Sequence, residues 1–144
     1  MEITESIYIE ASPDTVFGVY ADVARWPAWD PDTRAASIDG PFASGARGRL
    51  APSQGFPVPM LFVSVEPGRG FTVVSRVLFS TMSFGHSLRP EGPGVVATHG
   101  VAFQGPFAFF LRRLVGSRVR QGLPLTMRRL KAYAEERERL RVSA

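Results

Sequence analysis

The sequence predicts an α+β domain in which one long C-terminal helix covers one face of a sheet of seven antiparallel strands. Residues 33–104 consist of short apolar segments separated by glycine and proline, which is typical of strands joined by tight turns. Residues 105–141 are the only segment long and periodic enough for a major helix. Because such a helix must bury one face, we expect it to pack on the sheet.

The composition is that of one globular domain. A chain of 144 residues suits a single ligand-binding domain over residues 1–144, and 44% hydrophobic with 21% charged residues is an ordinary balance. The absence of cysteine excludes disulfides, thiol nucleophiles and thiolate metal sites. The N-terminal residues lack the basic start and apolar run of a signal peptide, so a cytoplasmic location is expected.

The positive charge lies mainly in the C-terminal helix. Residues 106–144 contain ten basic and three acidic residues, whereas residues 1–105 contain seven basic and ten acidic residues. Because the body is not basic, nucleic acid is not expected as a partner, and the simple interpretation is a solvated helix face. The alternative is reversible membrane docking, in which lipid phosphates are met by Arg112, Arg113, Arg118 and Arg120.

The N-terminal residues predict a strand followed by a helix. Residues 3–10 alternate between apolar and polar side chains, which is the pattern of a half-buried strand. Ser12, Pro13 and Asp14 then supply an N-cap, a proline at the first helical position and an acidic first turn. These signals predict a helix that begins at residue 13 and ends between residues 20 and 22.

A second short helix is expected in the segment ADVARWPAWDPDT, where its prolines break it. Trp26 and Trp29 are three residues apart and share one face of this helix. Two interpretations remain for them. Both tryptophans anchor the core, or at least one of them lines a ligand pocket.

Six further strands are expected to pair as an antiparallel meander, because they are close in sequence and are joined by tight turns. The break near residues 77–79 is the least clearly marked and is also compatible with a bulge in one longer strand. The predicted strands are 33–39, 46–52, 57–66, 70–77, 79–89 and 95–104.

The order of these elements resembles a known superfamily. The segments ASPDTVFGVYADVARWPAWDP, VVATHGVAFQGPFAFFLRRLVG and LPLTMRRLKAYAEE, with the strand-rich middle, resemble the START-like or helix-grip superfamily in its bacterial polyketide cyclase/dehydrase branch. The resemblance implies a curved sheet gripping a long helix around an apolar cavity. It implies no particular reaction, because function depends on the site and not on the fold.

The two histidines are the most informative polar residues. His86 and His99 both lie on the apolar side of their predicted strands. If the hairpin closes around residues 91–94, the two face each other with Cβ atoms roughly 4.5–5.5 Å apart. Two imidazoles beside an apolar cavity are candidates for the proton transfers that a cyclase needs. The alternative is a pair of neutral core histidines bonded to backbone carbonyl groups or to each other.

Large apolar side chains complete the predicted ligand-binding surface. Methionine suits pockets that accept varied shapes, although the same residues would also fill an ordinary core. The predicted ligand-binding residues are Trp29, Met60, Phe62, Met82, Phe84, His86, His99, Val101, Phe103, Leu123 and Met127.

Other chemistry has little support in the sequence. Two histidines without a carboxylate on the same faces fall short of a zinc ligand set, so no metal is expected. The sequence has no GxSxG motif and no phosphate-binding loop, and no cofactor is expected. Arg47, Arg49 and Arg76 lie in predicted strands, where each either faces solvent or holds an acidic ligand group.

These observations predict a protein that binds a small hydrophobic, polyketide-like or lipid-like molecule. Two further possibilities stay open beside simple binding. The protein catalyses cyclisation or dehydration of the ligand without a cofactor, or it is a carrier, a sensor or a membrane-docking lipid-transfer module. The oligomeric state is not predicted.

The apolar pattern of the C-terminal helix changes phase. Phe107, Phe110, Leu111 and Leu114 share one face, and a second stripe from Val119 onward is rotated away from it. One straight helix cannot bury both stripes against one sheet. We therefore expect a break at residues 116–117, giving a short helix near 106–115 and a long one over about 117–140 that bends at residue 124. The short helix is then either a lid over the cavity or a plug for the core.

Overall fold

The computed structural model describes residues 1–143. It contains one sheet, two α-helices and a 3₁₀ helix in the predicted order, and the predicted strands end within one or two residues of the observed ones. The elements are β1 Ile3–Ile9, α1 Pro13–Ala21, the 3₁₀ helix Val23–Ala28, β2 Thr33–Asp39, β3 Arg47–Pro52, β4 Val58–Glu66, β5 Gly70–Val77, β6 Ser80–Glu91, β7 Gly94–Gln104 and α2 Ala108–Ser143.

The seven strands form one open antiparallel sheet in the order β1-β7-β6-β5-β4-β3-β2. Strands β2 to β7 are a meander, and β1 pairs with the last strand of that meander. The first and last strands of the chain are therefore neighbours. The α+β helix-grip prediction is confirmed, because this sheet carries the long helix α2 along the β1 side.

The first helix begins as the sequence predicts. The Ser12 hydroxyl oxygen accepts a hydrogen bond from the Thr15 backbone N–H at 3.1 Å, and Pro13 is the first helical residue. The Glu138 carboxylate of α2 accepts hydrogen bonds from the Ser12 backbone N–H at 2.6 Å and from the Thr15 hydroxyl at 3.1 Å. The C-terminal end of α2 is therefore fastened to the start of α1.

A two-residue turn joins β5 to β6 at the break that is least clearly marked in the sequence. Val77 pairs with Ser80, and between them Leu78 and Phe79 have φ angles of 51° and 58°. Two positive φ angles are typical of a type I′ hairpin turn, which favours asparagine and glycine. Leucine and phenylalanine in this conformation each cost about 1–3 kcal/mol.

The C-terminal helix is continuous, and the predicted break at residues 116–117 is wrong. Because α2 extends without interruption through these residues, a separate lid helix over 106–115 is also wrong. One apolar stripe with members every three or four residues faces the core along the whole helix. The stripe consists of Ala108, Leu111, Val115, Val119, Leu123, Met127, Leu130 and Ala134.

The predicted first stripe, except for its buried member Leu111, is left outside the core. Phe107, which immediately precedes α2, Phe110 and Leu114 are between 51% and 61% exposed. The phase change in the sequence is therefore accommodated by exposing one stripe and not by breaking the helix. Pro124 lies inside α2, and a bend there stays a prediction. No helix within residues 1–143 is both long and apolar enough to cross a membrane.

Two hydrophobic clusters fill the space between the sheet and the helices. The closed cluster surrounds Tyr20, Phe62 and Leu130, which are fully buried, and joins α1, the 3₁₀ helix and the C-terminal half of α2. The open cluster surrounds Val101 and Leu111 and joins β1, β6 and β7 to the N-terminal half of α2. Several apolar members of the open cluster are only partly buried.

Candidate functional site

The candidate site is centred on two histidines at the boundary between these clusters. His86 of β6 and His99 of β7 are direct partners in the β6–β7 register, as predicted. Their ring centroids are 4.5 Å apart. In β7, His99 lies between Ala97 of the closed cluster and Val101 of the open cluster. His99 is therefore buried between the sheet and the helices, and His86 beside it is partly buried.

His99 is held by a tyrosine that the sequence did not single out as a site residue. The hydroxyl oxygen of Tyr20, from α1, lies 2.7 Å from Nε2 of His99. Burial raises the pKa of Tyr20 and, together with the neighbouring His86, lowers the pKa of His99 well below its ordinary value. Both groups are therefore neutral at neutral pH, and they share a hydrogen bond inside the core.

His86 is fixed by β5. Its ring stacks on the Phe71 ring with centroids 3.9 Å apart and an angle of 4° between the planes. Its Nδ1 lies 3.3 Å from the Phe71 backbone oxygen. Because a carbonyl oxygen only accepts, Nδ1 carries the proton and Nε2 of the neutral ring is left as an acceptor. Burial lowers the pKa of His86 to about 4. Hydrogen bonds to the backbone of Phe71 and Phe84 act in the opposite direction and raise the pKa, but burial is the larger effect.

Beside the histidines, an apolar surface stays partly exposed on the inner side of the sheet. Helix α2 packs mainly against β1 and β7 and reaches β6 only weakly. The inner face of β5 and β6 is therefore incompletely covered. We call this the β6–α2 cleft; its partly buried apolar residues are Val77, Met82 and Phe84 on the sheet and Val115, Val119 and Leu123 on the helix.

The predicted ligand-binding residues divide between the two clusters. Met82, Phe84 and Leu123 line the β6–α2 cleft, with Val101 and Phe103 buried in the same open cluster. Four further predicted residues are buried in the closed cluster, where they pack against protein and not along the cleft: Trp29, Met60, Phe62 and Met127.

Two buried polar atoms near this region have no hydrogen-bond partner within residues 1–143: Trp29 Nε1 and Ser75 Oγ. The Trp29 ring centroid is 6.1 Å from that of His99. Ser75 lies opposite Met82 in the β5–β6 register. Since buried polar groups are normally hydrogen-bonded, each of these two groups is available to form a hydrogen bond with a bound molecule or a water. By contrast, Trp26 Nε1 donates to the Tyr20 backbone oxygen at 2.9 Å.

Sequence reasoning missed Tyr20 and Ser75 as site residues. The sequence predicts Tyr20 only on the inner face of α1, and its bond to His99 links positions 79 residues apart. Ser75 carries a signal that the sequence does show, because it alternates with Val73 and Val77 and so occupies an inward position. A small polar residue at such a position is a candidate for ligand contact.

The remaining charged and polar candidates lie outside this region. Arg47, Arg49 and Arg76 are exposed, so the alternative of a buried arginine that holds an acidic ligand is wrong. Two surface grooves of about 400 and 460 Å³ border the C-terminal part of α2, and neither contains a predicted ligand-binding residue. Within residues 1–143, no three histidine, aspartate or glutamate side chains converge as metal ligands.

The fold recurs in solved structures of low sequence identity. The di-domain ARO/CYC StfQ from the steffimycin biosynthetic pathway aligns with a TM-score of 0.76 at 12% identity, over 94% of this chain and 50% of StfQ. This chain therefore spans half the length of that protein. TTHA0849 from Thermus thermophilus aligns with a TM-score of 0.71 at 18% identity, over 99% of both chains.

A plant enzyme shares the same architecture. Norcoclaurine synthase from Thalictrum, solved as a point mutant in complex with a transition state analogue, aligns with a TM-score of 0.71 at 16% identity, over 93% of both chains. At these identities the similarity shows the fold alone. Among curated proteins, none has a matching sequence.

The family is shown by a match over most of the chain. Residues 1–135 match the family described as polyketide cyclase / dehydrase and lipid transport. This match covers the sheet, both short helices and most of α2. The chain therefore belongs to the polyketide cyclase/dehydrase and lipid transport family.

Proposed function

We propose that the protein binds a small, largely apolar and uncharged molecule in the β6–α2 cleft, beside His86 and His99. The partly exposed inner face of β6 is the observation that supports this. Met82 and Phe84 point into the protein but are not fully covered by α2. An apolar surface left open inside a domain is a typical small-molecule site.

The polar groups around the cleft suit a ligand with a few hydrogen-bonding oxygens. The buried Ser75 hydroxyl, which lies opposite Met82 of the cleft, can donate or accept. His86 offers Nε2 as an acceptor. A hydroxylated aromatic compound or a polyketone has both donors and acceptors on an apolar frame. The family, and the biosynthetic role stated for StfQ, support this ligand class.

The neutral state of the histidines favours an uncharged ligand. Burial lowers the pKa of His86 to about 4 and holds the pKa of His99 well below its usual range. Neither imidazole is therefore cationic at neutral pH. The six residues that define the cleft are all apolar. A carboxylate or phosphate ligand would lose its hydration there without gaining a counter-charge.

Catalysis is a second candidate function, favoured by the free Nε2 of His86 and the Tyr20–His99 hydrogen bond. In this reaction, Nε2 of His86 takes a proton from a carbon between two carbonyl groups, and the enolate carbon attacks a third carbonyl. His86 returns this proton to the new alkoxide, which becomes a hydroxyl group. His86 then takes the remaining hydrogen of the attacking carbon as a proton and gives it to the departing hydroxide, so that water leaves and a carbon–carbon double bond forms. A base with a pKa of about 4 is weak at neutral pH, which is why binding is the primary proposal.

Extraction of natively purified protein, followed by mass spectrometry, tests binding. We expect an apolar molecule in the wild-type extract and its loss from Leu123→Trp, whose larger side chain fills the cleft. Leu140→Trp is the matched control, because Leu140 is exposed at the other end of α2. An equal yield from both variants would place the molecule elsewhere and contradict the proposed site.

Turnover of a poly-β-ketone into an aromatic product, without added cofactor, tests catalysis. We expect His86→Gln to lower the rate by about 100-fold or more, the usual contribution of a general base. Ser87→Ala is the control, because Ser87 is the exposed neighbour of His86 in β6. A His86→Gln variant that binds ligand and keeps the full rate would exclude this role for His86.

A further inference from the structure

We infer that one end of the molecule docks on an anionic membrane surface through a cluster of exposed phenylalanines bordered by arginines. We call this the docking end. It comprises the β5–β6 turn, the N-terminal part of α2 and the β3–β4 turn. Its exposed apolar residues are Phe56, Leu78, Phe79, Phe107, Phe109, Phe110 and Leu114.

The topology places these segments at the same end of the sheet. β5 ends and β6 begins there, because Val77 pairs with Ser80. The β3–β4 turn with Phe56 lies at the same end, because Leu50 pairs with Val58. β7 leads to α2 from that end as well. All five phenylalanines that are more than half exposed are therefore grouped at one end of the molecule.

Specific contacts join the β5–β6 turn to the start of α2. The Phe107 backbone N–H donates to the buried Ser80 hydroxyl at 2.9 Å. The rings of Phe79 and Phe107 have centroids 6.0 Å apart. Phe79 is nevertheless 83% exposed, so this pair covers little of it. These contacts join the β5–β6 turn to the start of α2 while Phe79 and Phe107 still face solvent.

The turn itself adds a second, independent observation. Leu78 and Phe79 occupy positive φ angles that favour asparagine and glycine. Leu78 and Phe79 are 50% and 83% exposed, so this unfavourable backbone conformation is offset by little packing in the folded protein. Such features persist where the exposed groups have a function.

The positive charge around the docking end indicates an anionic partner. Arg113, Arg118 and Arg120 are exposed and form no ion pair within residues 1–143. Residues 67–90 and 92–134, which supply most of this end, contain no acidic residue. Two acidic residues lie at the same end: Glu2 is paired with Arg112, and Asp32 is exposed before β2. Arg118 continues the exposed stripe of Phe110 and Leu114, at successive intervals of four residues along α2.

Anionic lipid fits both features. Phenylalanines enter the boundary between headgroups and acyl chains, and arginines bind the lipid phosphates. Two other partners fit less well. In a dimer formed through this end, the arginines of the two copies would repel each other, and a bound nucleic acid would not bury the exposed phenylalanines. Docking does not depend on the ligand proposed for the cleft, since none of the exposed phenylalanines belongs to its lining.

Vesicle sedimentation with the full chain tests this inference. We expect the protein to pellet with vesicles of equal parts phosphatidylcholine and phosphatidylglycerol, and far less with phosphatidylcholine alone or at high salt. Arg113→Gln with Arg118→Gln should weaken binding roughly thirtyfold, about fivefold for each arginine. Phe79→Ser with Phe110→Ser should also weaken it, and because both residues are exposed the circular dichroism spectrum should not change.

Matched variants elsewhere on α2 are the controls. Leu140→Ser removes a similarly exposed apolar side chain, and Arg128→Gln with Arg129→Gln removes two exposed charges further along the helix. Both should bind like wild type. The inference is overturned if wild type does not pellet with the anionic vesicles, or if the control variants lose as much binding as the docking-end variants. It is also overturned if light scattering shows a dimer that the phenylalanine substitutions dissociate.

Discussion

The Tyr20 hydroxyl oxygen lies 2.7 Å from Nε2 of His99, and this bond connects α1 to β7, the strand next to the β1 edge of the sheet. Tyr20→Phe removes the hydroxyl and leaves the buried Nε2 of His99 without its partner. We expect the free energy of unfolding to fall by about 1–3 kcal/mol, measured by urea denaturation. Tyr133→Phe is the control, because the Tyr133 hydroxyl bonds only to exposed Arg137, and its effect should stay within about 0.5 kcal/mol. Equal effects from both substitutions would contradict a structural role for the Tyr20–His99 bond.

The two inward-facing histidines should make stability depend on pH in the mildly acidic range. Burial lowers the pKa of His86 to about 4 and that of His99 well below its usual value, whereas both titrate near pH ~6.5 when unfolded. The unfolded chain therefore binds more protons as pH falls from about 6.5 to about 4. Stability present above about pH 6.5 is lost over this range, by up to about 1.4 kcal/mol per pH unit for each histidine.

Two variants separate this effect from other titrations. His86→Gln with His99→Gln should flatten the dependence of the unfolding free energy on pH. Asp30→Asn should make this dependence steeper. Burial raises the pKa of Asp30, so the folded protein takes up a proton there as the pH falls, and this uptake offsets part of the stability lost through the histidines. An unchanged slope in the double histidine variant would show that the histidines do not control the acid response.

Replacement of Gly116 tests the continuity of α2. Gly116 lies inside the helix, and an added Cβ would be no closer than 3.5 Å to another side chain. We expect Gly116→Ala to raise the free energy of unfolding by about 1 kcal/mol, since alanine favours a helix interior. If a helix ended there instead, the substitution would destabilise the protein. Gly40→Ala is the control, because its φ of 85° should make alanine cost about 1–2 kcal/mol.

The β5–β6 turn should become more stable when its residues suit its backbone. We expect Leu78→Asn with Phe79→Gly to raise the free energy of unfolding by about 1–3 kcal/mol, because both side chains are exposed and both φ angles are positive. Thermal denaturation measures the change. Leu78→Ser with Phe79→Ser removes the same apolar groups but keeps the strain, and it should stabilise much less. If the serine pair stabilises equally, exposure of the apolar groups and not backbone strain limits stability.

Local patterns in the sequence were sufficient for the strands and for the histidine pair. Alternating side chains place His86 and His99 inward, and the short turn between β6 and β7 sets their register. The N-cap at Ser12 and the proline after it identify the start of α1 in the same way. In each case the signal and the structure lie within the same few residues.

Features that depend on distant contacts were not predictable. The pattern of α2 shows two apolar stripes but does not say which one the sheet covers. The predicted break at residues 116–117 requires both stripes to be buried, and only one is. Tyr20 reaches His99 only because α1 folds over the sheet. The division of the lining between two clusters likewise follows from α2 lying along β1 and β7 and not over β6.

The most direct test of the binding site follows the methionine methyl groups by NMR while a neutral aromatic probe such as 2-naphthol is added. The four methionines are well separated: Met82 lines the β6–α2 cleft, Met60 and Met127 are buried in the closed cluster, and Met1 is exposed. A ligand in the cleft should shift the Met82 signal strongly and saturably, with little change at Met1. A response confined to Met1, or no response from Met82, would contradict binding in the cleft.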